Sequence, residues 1–178
     1  MHDLQLKSLL LFLRAALWTV LFPGVVAGYI PWQLFGVRDA EVSSPADIPA
    51  LVLIGTGVLI LLSSIVEFAR RGKGTLSPVD PPTRLVIQGP YRWVRNPMYA
   101  GVLFVLAGEA LLTANIGLVG YAATFFVITS VFIALFEEPY LERVFGSSYA
   151  QYKANVRRWL PRLSPWRGDT TTAHDLIC

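Results

Sequence analysis

The sequence predicts an all-α integral membrane protein with four transmembrane helices, a cytoplasmic strap rich in Gly and Pro, and a C-terminal amphipathic helical segment. Three observations carry that prediction. Of 178 residues, 54% are hydrophobic and 15% charged, whereas a soluble domain is about one-quarter charged; the mean hydropathy is +0.52. The apolar residues gather in four windows, 8–30, 47–69, 97–114 and 116–136. Nearly all of the 15 Lys and Arg fall on one side of the membrane that these windows define.

The first, second and fourth windows are long enough, at about 1.5 Å per residue, to cross a hydrocarbon core of about 30 Å. The first contains Pro23 and has no small-residue cleavage site before polar sequence, so it is expected to span rather than to serve as a signal peptide. The stretch 31–46 is turn-rich and says little. The third window is short and can begin at Asn96 to Met98; a tight Asn115-Ile116-Gly117 turn joins it to the fourth, which makes the pair an antiparallel hairpin. Glu109 lies well inside the third span. Carboxylates there are costly and face a partner or a cavity, and pairing with Arg14, or protonation and a hydrogen bond to a neighbouring helix, makes its expected role structural.

Charge placement sets the orientation. Lys7 and Arg14 precede or open the first helix, six basic residues lie from Arg70 to Arg95, six lie after Phe136, and only Arg38 remains. The positive-inside rule puts both termini and the segment 70–98 in the cytoplasm. The net charge of +3 is thus a topology signal, and no nucleic-acid partner is expected. Cys178 is the only cysteine and both histidines, His2 and His174, lie in polar tails, so no disulfide framework and no metal site are expected.

Two cytoplasmic segments are more than connectors. The strap 70–98 holds Gly72, Gly74, Pro78, Pro81, Pro82, Gly89 and Pro90, which rule out a long helix. Its Leu85, Val86, Ile87, Tyr91, Trp93 and the following Tyr99 favour packing over disorder, so the strap reads as a ligand cradle at the membrane surface. After it, Leu141, Val144, Phe145, Tyr149, Tyr152 and Val156 recur at helical spacing and predict one or two amphipathic helices over 137–160, broken at Gly146 and ended by Pro161. An interfacial helix on anionic lipid would look similar. The adjacent Glu137 and Glu138 argue for an additional role, because anionic lipid repels them.

GPYRWVRNPMYAG at 89–101, followed by EEPYLERVFGSSYAQYKANVRRWLP at 137–161, resembles the isoprenylcysteine carboxyl methyltransferase and phospholipid methyltransferase family of integral membrane enzymes. Gly89, Tyr91, Arg95, Pro97, Tyr99, Gly101, Glu137, Glu138, Phe145, Gly146, Tyr149, Tyr152 and Pro161 match the family pattern, and the likeness extends over residues 50–165. Asn96 stands where the family usually has His, so orientation by hydrogen bonding replaces any imidazole proton acceptor at that position.

The resemblance implies one membrane methyltransferase domain over 1–168, S-adenosyl-L-methionine as cofactor, and methyl transfer to a lipophilic carboxylate or amine reached from the bilayer. The residue types suit that cofactor. Tyr91, Trp93 and Tyr99 can wall an adenine or face a sulfonium, against a belt-aromatic reading that is open to all three and favoured for Trp93. Arg95 can pair with the cofactor carboxylate, with Asn96 and Pro97 shaping the turn beside it. The backbones of Val86, Gln88 and Gly89 can approach closely. Glu137 and Glu138 can accept from ribose hydroxyls or the amino group, but neighbours on a helix point about 100° apart, so one is expected to touch cofactor and the other to hold the strap. Arg95, Asn96 and Glu138 are the candidate catalytic residues. Arg157 and Arg158 are candidates for an anionic substrate head group, against a default role facing membrane lipid phosphates. Two rival readings are a nicotinamide-dependent membrane reductase of the sterol-reductase type, using NADPH, and a non-enzymatic four-helix membrane protein.

Overall fold

The computed structural model describes residues 21–71 and 85–168, and within them every regular element is helical. A first helical run, α1, covers 21–34; its centre, Val25–Tyr29, is π-wound and its end, Ile30–Leu34, is α. Pro31 has no N–H to return to the preceding turn, and the wider winding sits immediately before it. Short 3₁₀ turns follow at Val37–Asp39 and Pro45–Asp47; in the second, the Ser44 hydroxyl accepts from Ala46 N–H while Asp47 accepts from the Ser44 N–H. Helix α2 runs Ile48–Arg71, α3 runs Pro97–Thr113, and α4 runs Ile116–Phe132. The α3–α4 turn closes through Asn115, whose side-chain oxygen accepts from the N–H groups of Gly117 and Leu118 at 2.8 and 3.4 Å. A π turn, Ile133–Glu137, then leads without a break into α5, Glu138–Asn155.

Two of these helices are long and apolar enough to cross a membrane, α2 and the helix that begins at Ile116, and α3 is a shorter apolar helix of 17 residues. The apolar part of the second ends at Phe136, where Glu137 and Glu138 begin the polar sequence. Of the window 8–30, residues 8–20 lie outside the described residues, as do Arg14 and the strap from Gly72 to Arg84.

Helices α2 and α3 make the most extensive contact in the fold, and small residues are the reason. Ala50 and Ser64 are fully buried on α2 at seven-residue steps either side of Gly57. A Cβ at Gly57 would stand 2.6 Å from the Gly101 carbonyl oxygen, one at Gly101 would stand 2.9 Å from the Gly57 carbonyl oxygen, and one at Gly108 would stand 2.7 Å from the Ala50 carbonyl oxygen. Backbone meets backbone along this seam, as between membrane helices joined by small residues. On its other face α3 contributes Val102, Val105, Leu106 and Ala110 to a core shared with Ala27 of α1 and with Leu118 and Phe125 of α4. Glu109 is buried beside this core with Oε2 unpaired.

Helix α5 is kinked at Gly146, whose φ of 50° and ψ of −126° suit a residue without a Cβ. The helix expected to continue to 160 ends at Asn155. Val156 is extended (φ −120°, ψ 125°) and buried, and the chain from there runs beside the strap, where its backbone N–H and C=O groups find partners outside a helix.

Candidate functional site

The site is built where the strap, the end of α2 and helix α5 meet. The strap's described part has no regular structure at 85–87, is extended at Gln88 (φ −122°, ψ 165°), turns through a 3₁₀ segment at Gly89–Arg92, and enters α3 at Pro97. Leu85 and Ile87 pack against a cluster of Tyr149, Tyr152 and Val156, with Leu141, Phe145 and Trp166 around it. The 157–166 segment pairs with the strap backbone: Arg95 N–H donates to the Arg157 carbonyl at 3.0 Å, Arg162 N–H to Trp93 at 2.9 Å and Trp166 N–H to Arg92 at 2.9 Å. The Tyr152 hydroxyl donates to the Tyr91 carbonyl at 2.7 Å, and Arg92 Nε donates to the Trp166 carbonyl at 2.7 Å.

Between these walls lies a cavity of about 90 Å³ lined by Phe68, Leu85, Val86, Tyr91, Arg95, Asn96, Glu137, Leu141, Phe145, Tyr149 and Tyr152. Pockets that enclose a drug-sized ligand measure roughly 300–1,000 Å³, so a nucleoside-sized ligand would seat one end here or part the walls. Two buried donors in the lining, Arg95 Nε and Asn96 Nδ2, have no hydrogen-bond partner. Asn96 occupies the N-cap position of α3, yet its side chain makes no cap bond, which leaves its amide free for another acceptor.

Glu137 and Glu138 are separated in role by the π turn. Glu137 lines the cavity and accepts from the Tyr99 hydroxyl at 3.4 Å. Burial pushes its carboxyl up, against the pull of the Tyr99 hydrogen bond. Glu138 is not itself in the lining and meets three cations, one of which, Arg95, is: Oε1 lies 2.9 Å from both Arg95 Nη1 and Arg158 Nε, and Oε2 lies 3.3 Å from Lys153 Nζ. Burial raises the Glu138 carboxyl, but the Arg158 hydrogen bond, the Arg95 charge and the Lys153 hydrogen bond outweigh it and hold the group below the ordinary carboxylate value. Lys153 also bonds Glu142 at 2.6 Å. Burial, helped by Glu138 and opposed by Arg95, pushes the Tyr149 hydroxyl up to about 12, and burial raises Tyr91 and Tyr152 as well. The tyrosine walls are therefore neutral at physiological pH.

Among the residues singled out from the sequence, Val86, Tyr91, Arg95, Asn96 and Glu137 meet at the cavity. Gln88, Gly89, Pro97, Tyr99 and Glu138 stand behind it. The Gln88 carbonyl accepts from Tyr91 N–H at 3.2 Å, Pro97 is fully buried at the start of α3, and Tyr99 packs towards Phe125. Gly89 has a φ of 56° and a Cβ there would meet Glu67 Cγ at 2.8 Å. Arg158 is engaged with Glu138, whereas Arg157 is exposed. Phe68 and Lys153 were not anticipated. Phe68 sits one turn before the end of a span, where an aromatic residue reads as belt, and the reach of Lys153 to Glu138 depends on the Gly146 kink.

Residues 47–148, which include the strap, Arg95, Asn96, Glu137 and Glu138, match the phospholipid methyltransferase family. The chain belongs to that family. Among its relatives, the cobalt-zinc-cadmium resistance protein CzcN of Cupriavidus metallidurans is 30% identical over 91 residues, 51% of this chain and 42% of that protein. A phosphatidylethanolamine N-methyltransferase of Talaromyces marneffei is 32% identical over 85 residues, 46% of this chain and 9% of that protein. An uncharacterized protein of Haemophilus influenzae is 41% identical over 64 residues, 35% of this chain and all of that protein. The chain thus spans less than half the length of the first two relatives. This phospholipid methyltransferase family member is a membrane protein, and among its described residues no group of three or more His, Cys, Asp or Glu side chains gathers as a metal site requires.

Proposed function

We propose that this chain transfers a methyl group from S-adenosyl-L-methionine to a lipophilic acceptor, a carboxylate or an amine, that reaches the site from the bilayer. The observation that carries the reading is the pair of buried, unpartnered donors, Arg95 Nε and Asn96 Nδ2, on residues lining a cavity that also holds Tyr91, Tyr149, Tyr152 and Glu137. That set suits a ligand with a carboxylate for the donors, an aromatic base or a cation for the Tyr91, Tyr149 and Tyr152 faces, and hydroxyl or amino groups for Glu137.

When bound, the cofactor supplies an electrophilic methyl on a sulfonium. Arg95 and Asn96 would hold its carboxylate, and Glu138, by gripping the Arg95 guanidinium, fixes the direction of Nε. Methyl transfer needs in-line positioning and exclusion of water more than it needs a base, and the apolar lining by Phe68, Leu85, Val86, Leu141 and Phe145 supplies the dry wall. A carboxylate acceptor requires no proton acceptor; an amine acceptor, as the name of the Talaromyces relative suggests, would find one in Glu137. Exposed Arg157 is available to an anionic head group. Four spans, both termini and the site in the cytoplasm, and a bacterial inner-membrane location complete the reading.

Isothermal titration of the detergent-purified protein with S-adenosylhomocysteine, with NADPH as comparison ligand, tests it. Saturable binding of the former alone, weakened at least tenfold by Asn96→Ala, supports the assignment. Binding of NADPH instead would transfer the site to a reductase, and binding of neither would leave the cavity as packing.

A further inference from the structure

The 157–166 segment does more than brace the strap. The Trp159 ring lies 5.0 Å from the Phe126 ring, and Phe126 is ten residues before Phe136, about 15 Å along the helix from the end of its apolar part. The chain that leaves α5 among polar groups therefore turns back along the flank of a spanning helix. There it presents apolar side chains outward: Leu160 is 63% exposed and Leu163 completely so. The neighbouring face of α4 is exposed and apolar as well, through Val127, Val131 and Phe132. Exposed Arg157 and Arg167 flank the segment, a distribution that complements lipid phosphates above an acyl layer.

We propose that the side chains of Trp159, Leu160 and Leu163 are inserted in the bilayer and continue the lipid-facing surface of α4, while Arg162, whose guanidinium donates to the Ser164 and Asn155 carbonyls, stays with Arg157 and Arg167 at the head groups. The occupant of this face is lipid. An aqueous exposure would leave a fully open leucine beside an open leucine and a helix flank that is itself apolar. Because Arg162 and Trp166 donate to the strap carbonyls of Trp93 and Arg92, the wedge also ties the strap to the membrane surface. The inference rests on α4 crossing the bilayer and is independent of which ligand the cavity takes.

The test uses the full chain carrying Cys178→Ser, reconstituted in phosphatidylcholine and phosphatidylglycerol liposomes, with a nitroxide placed in turn through Leu163→Cys, Val127→Cys and Gln151→Cys. Power saturation compares access of oxygen, enriched in the acyl layer, with access of a neutral nickel chelate, which stays in water. The Leu163 label is expected to match the Val127 label, with oxygen access at least threefold above nickel access relative to the exposed polar Gln151 position. A Leu163 label that behaves like Gln151 overturns the proposal, and so does one shielded from both reagents, which would place a second copy of the chain on this face. Nickel access at Val127 would remove the spanning assignment itself, and the proposal with it.

Discussion

The Glu138 carboxylate and the Arg95 guanidinium meet at 2.9 Å, with 5% and 9% of their side chains exposed. A buried pair of this kind is retained for geometry more than for net stability, but removing one partner leaves an uncompensated charge. Here the surviving charge would be Arg95, whose unpartnered Nε belongs to the candidate cavity. Glu138→Gln is therefore expected to cost about 3–5 kcal/mol of stability and to weaken S-adenosylhomocysteine binding together with it. Thermal unfolding in detergent and titration calorimetry read the two effects. An unchanged midpoint would show that neither buried Arg95 nor its neighbours Arg158 and Lys153 depend on this carboxylate for stability.

The same residue predicts an acid limb. Its folded carboxyl lies below the ordinary value, so the unfolded chain binds the proton more readily. Its stabilisation is complete above about pH 4.3, the ordinary Glu value, and is lost as the pH falls through the lower folded value. Glu137, raised by burial, acts in the opposite direction, so the informative quantity is the difference between wild type and Glu138→Gln. That difference should hold from neutrality to about pH 5 and shrink below about pH 4. A constant difference down to pH 3 would assign the stabilisation to something other than the ionised carboxylate.

How much of this was legible beforehand follows from the kind of contact involved. The apolar windows 47–69 and 97–114 matched α2 and α3 to within two residues at each end, because composition decides them; the window 116–136 found the start of α4 but ran past its end at Phe132 into the π turn, and the turn at Asn115 marked the hairpin. The strap stood out because Gly89, Pro90, Tyr91 and Arg95 make no sense as a bland connector. The pairing of strap backbone with 157–166 left no trace in periodicity, since Val156 continues the helical spacing while its backbone turns extended. Two adjacent glutamates could be told apart in principle by helix rotation, but the π turn before Pro139 decides which one faces the cavity. The seam of Ala50, Gly57 and Ser64 left no signal in the sequence reading, because small side chains on an apolar helix become an interface only where Gly101 and Gly108 of the partner helix lie against them.

That seam makes its own prediction. A Cβ at Gly57 would contact the Gly101 carbonyl oxygen and, at 2.8 Å, the Val105 nitrogen, both backbone atoms that cannot step aside. Gly57→Ala should force α2 and α3 apart and cost about 1–3 kcal/mol. Gly55, two residues earlier on the same helix, has nothing within 4 Å of its would-be Cβ. Gly55→Ala should be neutral or stabilising by up to about 1 kcal/mol, the ordinary gain of Ala over Gly in a helix. Equal unfolding midpoints for the two variants would contradict the close packing of the seam.

Asn96 separates a binding site from mere packing. It is buried, its amide nitrogen has no partner, and its side chain does not cap α3 although it stands at the cap position. A buried donor left unsatisfied costs about 1–3 kcal/mol, and an apolar side chain of similar size avoids that cost. Asn96→Leu should therefore raise the unfolding midpoint while weakening S-adenosylhomocysteine binding by tenfold or more, equivalent to about 1.4 kcal/mol or more. Strain retained against stability in this way is expected of a residue kept for a ligand. If the variant lost stability and binding together, Asn96 would be holding the turn into α3; if it gained stability and bound as before, the donor that carries the proposed function would be Arg95 alone.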